Sequence, residues 1–293
     1  MLFSIAIPTY NNEKTIARSV ESALNQTYSD DYEIIIVNNA STDRTGEILR
    51  NYSDPRIRII TNPHTVEMYP NHNICLQNAQ GQYILFCHGD DKLLPGAISI
   101  LEKKIQERIY PEKYILWGRS VFRDFGVGTG FPVNQTLSGD TVLPFLFRGG
   151  LTPSGTCYSR DSLLEIGGFP TETGPIPESD WTVMFLCALH GFEFEMTDRL
   201  LFVRDSATTA TDNISPSTWR ESDEAVFSCL EKELTPDQFH KIIGYSYSFA
   251  PIEKYPVFKQ FYSRRERFLK LVRFFIARPT PSRLRYITKL ARI

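Results

Sequence analysis

Two adjacent carboxylates, Asp90 and Asp91, leave the end of an apolar run, Tyr83-Ile84-Leu85-Phe86-Cys87, within the tetrapeptide His88-Gly89-Asp90-Asp91. Carboxylates side by side repel each other unless a cation or sugar hydroxyls compensate them, so the pair suits a divalent ion or a polyhydroxylated ligand. Asp is also frequent in the turn after a strand, and taken alone the pair favours that plainer reading. Its setting changes the balance. Upstream, Phe3-Ser4-Ile5-Ala6-Ile7 runs into Pro8-Thr9-Tyr10-Asn11-Asn12, and Glu33-Ile34-Ile35-Ile36-Val37 runs into Asn38-Asn39-Ala40-Ser41-Thr42-Asp43. Three polar strand ends therefore converge on one edge of a sheet.

Bringing them together requires strands separated by helices. Apolar residues at Ile16, Val20, Ala23 and Leu24 place a helix at about Lys14 to Asn25, and Ser41 or Thr42 is placed to cap a second helix with Ile48 and Leu49 facing inward. A third strand, Arg56 to Ile60, precedes a helix from about Pro70 to Ala79, and the strand that delivers Asp90 and Asp91 precedes another from about Pro95 to Arg108. Such alternation predicts right-handed βαβ units, a mostly parallel sheet and a ligand site at the carboxyl ends of the strands. A dinucleotide-binding domain would carry a glycine fingerprint after the first strand, where Pro8-Thr9-Tyr10-Asn11-Asn12 stands instead.

With 293 residues, 42% of them hydrophobic, the chain can bury one large core and carry a smaller appendage. Cys75, Cys87, Cys157, Cys187 and Cys229 form no CxxC pair and read as core thiols in a reducing compartment. No segment has the apolar length to cross a bilayer, so a cytoplasmic protein is expected. The formal charge of −2 conceals an asymmetry: from Lys259 onward eleven Lys and Arg face the single Glu266, about +10, leaving about −12 on the preceding residues. An acidic body is poorly suited to grip nucleic acid in its main cleft. The tail interleaves its cations with Phe261, Phe268, Phe274, Phe275, Leu284, Tyr286 and Leu290, and Pro279 and Pro281 break it in two. Two readings stay open for it: a basic amphipathic element lying on an anionic membrane surface, or a helical extension packed on its own domain or on a second subunit of a homo-oligomer.

Four ordered strings, Ile7-Pro8-Thr9-Tyr10-Asn11, Ser22-Ala23-Leu24-Asn25-Gln26-Thr27-Tyr28, Val37-Asn38-Asn39-Ala40-Ser41-Thr42-Asp43 and His88-Gly89-Asp90-Asp91, resemble glycosyltransferase family 2 over roughly residues 1 to 212. The resemblance implies a GT-A fold, a Rossmann-like α/β domain with a mostly parallel central sheet flanked by helices. It implies a catalytic domain at 1–214, with a nucleotide-sugar-binding half at 1–119 and an acceptor-side half at 120–214, followed by a helical extension at 215–293. The implied activity is inverting, metal-dependent transfer from a nucleotide-sugar donor, most naturally a UDP-sugar, to a glycan or lipid-linked glycan in bacterial-type surface polysaccharide synthesis. A sugar-nucleotide-binding protein of the same fold with little catalysis is the alternative.

The resemblance also assigns residues. Pro8, Thr9, Tyr10 and Asn12 would line the nucleotide pocket with Asn38, Asn39 and Asn73; Asp90 would hold ribose or sugar hydroxyls, and Asp91 would contact Mn²⁺ or Mg²⁺. Gly167, Gly168 and Phe169 would form the turn beside the acceptor, and in Glu178-Ser179-Asp180-Trp181 the base would be Asp180 with Trp181 next to it. Asp180 also suits the start of a helix as a cap. Four departures stand out. Asn38 and Asn39 replace a common Asp pair, His72 replaces a common Arg, Ser179 replaces a Glu, and Ser206 replaces a His that can complete the metal site. An Asn carbonyl still accepts a hydrogen bond from a base, although its amide also donates. Asn39 serves equally well as a turn cap, and His72 can pack or cap.

Overall fold

The computed structural model describes residues 1–121, 130–146, 153–171, 179–204 and 215–239. In chain order the first half contains β1 (Phe3–Thr9), α1 (Ile16–Leu24), β2 (Tyr32–Asn38), α2 (Thr45–Leu49), β3 (Ile57–Thr61), α3 (Met68–Asn78), β4 (Tyr83–Phe86), β5 (Asp91–Leu93) and α4 (Ala97–Glu107). The second half adds β6 (Tyr114–Ser120), β7 (Thr136–Ser138), α5 (Leu143–Leu146), β8 (Thr156–Ser159), α6 (Arg160–Glu165), α7 (Ser179–Leu189), β9 (Glu193–Arg204) and α8 (Pro216–Glu233). Among the described residues the nine strands form one sheet of order β3-β2-β1-β4-β8-β6-β9-β5, with β7 paired to β9.

The first four strands in sequence are mutually parallel, as the βαβ pattern requires. β1 and β2 are buried along their whole length, which suits near-continuous apolar strands covered by helices on both faces. Alternation by two divides their side chains between the faces. Ile5, Ile7, Ile34, Ile36 and Leu85 pack with Ile16 and Val20 of α1 and Leu101 of α4, while Ala6, Ile35, Val37, Ile84 and Phe86 pack with Leu76 of α3 and Phe185 of α7. The register Thr9↔Asn38 sets two polar strand ends side by side, and β4 lies on the other edge of β1 with Ala6↔Phe86. β8 joins this parallel group antiparallel to β4, and β6 is antiparallel to β8 but parallel to β9.

Two local expectations change. α2 begins at Thr45, so neither Ser41 nor Thr42 caps it. Both instead tie the β1 and β2 loops together: Asn11 N–H donates to Ser41 Oγ at 3.0 Å, and Thr42 N–H to Asn11 Oδ1 at 2.8 Å. Asp91, expected in a loop, opens the short strand β5, which pairs antiparallel with β9 in the register Asp91↔Arg204. A three-residue strand carries too little apolar pattern to be read in advance.

α8 starts on Ser215, whose hydroxyl accepts from Thr218 N–H, and buries Val226, Phe227 and Leu230 in the same cluster as α7. Four cysteines are buried, Cys229 is half-buried, and all five are thiols. Among the described residues no helix is long and apolar enough to cross a membrane. The basic tail from Lys259, together with Glu178 and Ser206, lies outside the described residues.

Candidate active site

The candidate donor edge, at the ends of β1 and β2, begins as a knot of short polar side chains. Asn12 Oδ1 accepts from Thr9 Oγ1 at 2.7 Å and from Tyr10 N–H at 3.1 Å, while Asn12 N–H donates to Thr45 Oγ1 at 2.8 Å. Pro8 and Thr9 are buried at the strand end, and the Tyr10 ring stands 47% exposed above them. Asn38 Oδ1 accepts from Ser41 N–H, the local turn that Asn commonly makes. Asn39 is engaged through both ends of its amide: its Oδ1 accepts from Asn62 Nδ2 at 2.9 Å and Val66 N–H at 2.8 Å, and its Nδ2 donates to Val66 O at 2.7 Å. An Asp could not make that last bond, which gives the Asn-for-Asp departure at this position a structural reason.

The β4 end delivers the acidic motif. Thr15 Oγ1 donates to Gly89 O and Ser19 Oγ to His88 O, anchoring the turn to α1, while His88 N–H donates to Ser154 Oγ. A Cβ on Gly89 would run into Thr9 Oγ1 and Asn12 Oδ1, so only glycine lets this turn lie against the β1 loop. Asp91 is 3% exposed, next to Arg204 on β9. His88, Asp90 and Asp91 each place one ligand atom within 4.8 Å of the others. Two carboxylates and an imidazole at that spacing fit a divalent ion of the Mn²⁺ type, and the oxygens alone fit Mg²⁺.

Asp180 sits on the first turn of α7, where its Oδ1 accepts from Trp181 N–H at 2.9 Å. The residue as a whole is half-buried, but its carboxyl group is enclosed. Burial pushes that carboxyl up to about 6, against the opposing pull of a hydrogen bond from the Tyr69 hydroxyl, the Trp181 N–H and the charge of Arg204. Tyr69 in turn belongs to an aromatic cluster: it stacks on Phe169 at 5.6 Å and lies 5.1 Å from His72, which stacks on Phe86 at 5.4 Å. Nε2 of His72 lies 2.9 Å from Nε2 of His88, and Nδ1 of His72 lies 2.8 Å from Met68 O. Burial holds both imidazoles below their ordinary range, His88 despite the opposing charge of Asp90. A continuous chain, Asp180–Tyr69–His72–His88, thus links the second half of the molecule to the acidic motif.

The Gly-Gly-Phe turn is held by Asn73, whose Nδ2 donates to Phe169 O at 2.8 Å and whose Oδ1 accepts from Phe169 N–H at 2.9 Å. Gly167 and Gly168 have φ of 89° and 75°, and a Cβ on Gly168 would meet Asn73 Oδ1 at 2.5 Å. The carboxamide of Asn73, read from the sequence as a donor contact, is therefore committed to this clasp. Phe169 is buried in the aromatic cluster, and Trp181 packs on Phe185 and Phe227 while its Nε1–H donates to Leu146 O.

His88, Tyr69 and Arg204 are the site residues that sequence reasoning passed over. His88 stood inside the motif, where a nitrogen donor among carboxylates was the available signal. Arg204 stood two residues before Ser206 in the resemblance without a role of its own, and Tyr69 gave no signal; both places depend on how α3, α7 and β9 pack.

Comparison with known proteins agrees with this fold. Residues 4–123 match the family model described as glycosyl transferase family 2. Over 140 residues, 46% of this chain and 55% of the relative, the chain is 37% identical to the UDP-Glc:alpha-D-GlcNAc-diphosphoundecaprenol beta-1,3-glucosyltransferase WfgD of Escherichia coli. It spans little more than half the length of such curated relatives: 60%, 55% and 55% in three of them. The fold is shared with S. aureus TarS 1-349 in complex with UDP-GlcNAc, at a TM-score of 0.66 and 18% identity over 95% of this chain and 82% of that one. It is also shared with the mannosyltransferase PcManGT from Pyrobaculum calidifontis in complex with GDP-Man and Mn²⁺, at a TM-score of 0.59 and 17% identity over 99% and 79%. The chain has the GT-A fold, and its residues 4–123 belong to glycosyltransferase family 2.

Proposed function

We propose that the protein transfers a sugar, with inversion, from a nucleoside diphosphate donor to a hydroxyl of a glycan acceptor in bacterial surface polysaccharide synthesis, working on the cytoplasmic side of the membrane. The observation that carries this reading is the joining of an enclosed, basic carboxylate, Asp180, to the His88-Gly89-Asp90-Asp91 turn through Tyr69 and His72. WfgD, named for a UDP-Glc donor and a lipid diphosphate-linked acceptor, and TarS, solved with UDP-GlcNAc, support a UDP-sugar as donor.

In this reading the exposed Tyr10 ring flanks the base, and Asn38 lies beneath it. Asp90 binds ribose or sugar hydroxyls. Asp91 and its neighbours in the turn would hold Mn²⁺ or Mg²⁺, which when bound offsets diphosphate charge and stabilises the leaving group. Asp180 takes the proton from the acceptor hydroxyl as that oxygen attacks the anomeric carbon from the face opposite the diphosphate. A carboxyl titrating at about 6 is ionised at neutral pH yet more basic than an ordinary Asp, which suits it to that step. Tyr69 donates to the carboxylate and fixes its direction, and a single displacement needs no covalent enzyme intermediate.

The test is to screen nucleoside diphosphate sugars with Mn²⁺ against lipid-linked glycan acceptors and to read the anomeric configuration of the product by NMR. Inversion with a UDP-sugar is expected, and Asp91→Asn should weaken donor binding in Mn²⁺ without unfolding the chain. Retention of configuration overturns the single displacement. Donor binding with neither transfer nor hydrolysis returns the protein to a non-catalytic sugar-nucleotide-binding role.

A further inference from the structure

The His72–His88 contact decides which nitrogen of His88 has a lone pair to give. Met68 O can only accept, so the ring nitrogen 2.8 Å from it, Nδ1 of His72, carries that ring's proton. In a neutral ring this leaves Nε2 of His72 as an acceptor. The Nε2 of His88, 2.9 Å away, must then donate to it, because two lone pairs facing each other at that distance would repel. The proton of His88 is thereby placed on Nε2, and Nδ1 keeps its lone pair. Among the described residues no other hydrogen bond to the His88 ring competes for it. The ring also has little freedom to turn away: His72 is clamped between Tyr69, Phe86 and Phe169, and the His88 ring stands edge-on to it at 4.9 Å.

We infer that His88 is a nitrogen ligand of the divalent metal, through Nδ1, and that His72 is a positioning residue that fixes its tautomer and direction from behind. The inference deepens the metal-assisted transferase reading and rests on it. It has a chemical consequence. Imidazole in place of a carboxylate or water biases a site toward Mn²⁺, Co²⁺ and similar transition metals over Mg²⁺, which prefers oxygen and holds its water. Orientation of a ligating histidine by a partner on its other nitrogen is a common device, and loss of such a partner typically costs about 10- to 100-fold in metal affinity.

The full-length protein titrated with Mn²⁺, alone and with UDP, tests this by pulsed EPR, which detects a nitrogen bound directly to manganese and does not depend on turnover. Nitrogen coupling is expected in the wild-type spectrum and its loss in His88→Asp, which keeps a ligand but replaces nitrogen by oxygen; the ratio of Mn²⁺ to Mg²⁺ affinity should fall in the same variant. His72→Phe preserves the aromatic packing, and should retain the coupling while weakening Mn²⁺ binding by about tenfold. Mn²⁺ bound to the wild-type chain without nitrogen coupling overturns the His88 assignment and leaves the metal-assisted reading standing. Coupling that survives in His88→Asp belongs to another residue and also overturns it. No Mn²⁺ binding, with UDP or without, overturns both.

Discussion

The proposed donor edge and the proposed acceptor wall are built on opposite principles. At the donor edge short polar side chains satisfy each other: Asn12 binds Thr9 and Tyr10, and Asn39 binds Asn62 and Val66, so the loops are held before any ligand arrives. At the acceptor wall the packing is aromatic, from Tyr69, His72, Phe86, Tyr158 and Phe169, and Tyr69 of that cluster bonds the enclosed Asp180 carboxylate. Hydrogen-bonded frames fix positions, whereas apolar frames raise the basicity of what they enclose. The difference teaches where function can be altered without loss of fold, and where it cannot.

The largest effect should come from Asp180→Asn, which keeps the shape at the wall and removes the proposed base. Transfer should fall about 10²–10⁴-fold with donor affinity unchanged, and wild-type activity should rise with pH through about 6 as the carboxyl ionises. Stability should move the other way. The folded carboxyl is raised from 3.8 to about 6, so ionisation costs the native state nothing below pH 4 and its full penalty above pH 6. Asp180→Asn should therefore be the more stable protein at pH 8, by up to about 3 kcal/mol, and equal to wild type near pH 4. Equal melting curves at both pH values would show that the wall does not desolvate this group.

At the donor edge the corresponding change works through the frame. Asn39→Asp keeps acceptors for Asn62 and Val66 N–H but turns an oxygen toward Val66 O, where the amide donated. A destabilisation of about 1–3 kcal/mol is expected at pH 7. The folded-state pKa of the new carboxyl would be raised, so the penalty should shrink as pH falls through it and a protonated oxygen again donates. A pH-independent penalty in denaturant titrations would contradict this account of the network.

Between the two regions stands Tyr69. In Tyr69→Phe the ring still packs on Phe169 and His72, but the bond that lowers the Asp180 carboxyl is lost. The acid limb of the pH–rate profile should move upward, with transfer reduced about tenfold at neutral pH. A fall in rate with the limb in place would mean that the hydroxyl orients substrate instead.

How much of this was legible in the sequence follows the same division. The strands, their parallel order and the three polar ends were readable because a run such as Glu33-Ile34-Ile35-Ile36-Val37 is local and its period is short. Asp180 was readable only through the Asp-aromatic step and its family resemblance. Its enclosure was not, since it depends on Tyr69 of α3 reaching α7 across more than a hundred residues of chain. The same holds for Asn39 and Asn73: residue type marked them as polar and loop-adjacent, but only the placement of Val66 and Phe169 shows that their amides are already occupied. β5 was missed because three residues carry no period, and Arg204 because its place beside Asp91 comes from strand register.

The smallest predicted effect separates an aromatic ring that waits for a ligand from one that serves the fold. Tyr10 is 47% exposed, and its backbone N–H, not its ring, is tied to Asn12; Phe169 is 1% exposed inside the cluster. Removing the Tyr10 ring opens no cavity, so Tyr10→Ala should leave stability within about 0.5 kcal/mol of wild type. Stacking of a base on an exposed aromatic ring contributes on the order of 1 kcal/mol or more, so UDP affinity measured by calorimetry should fall about fivefold. The loss should be similar for UDP and UMP, because the ring meets the base and not the diphosphate. Unchanged UDP affinity would place the base elsewhere along the edge, and a large loss of stability would show that Tyr10 belongs to the frame after all.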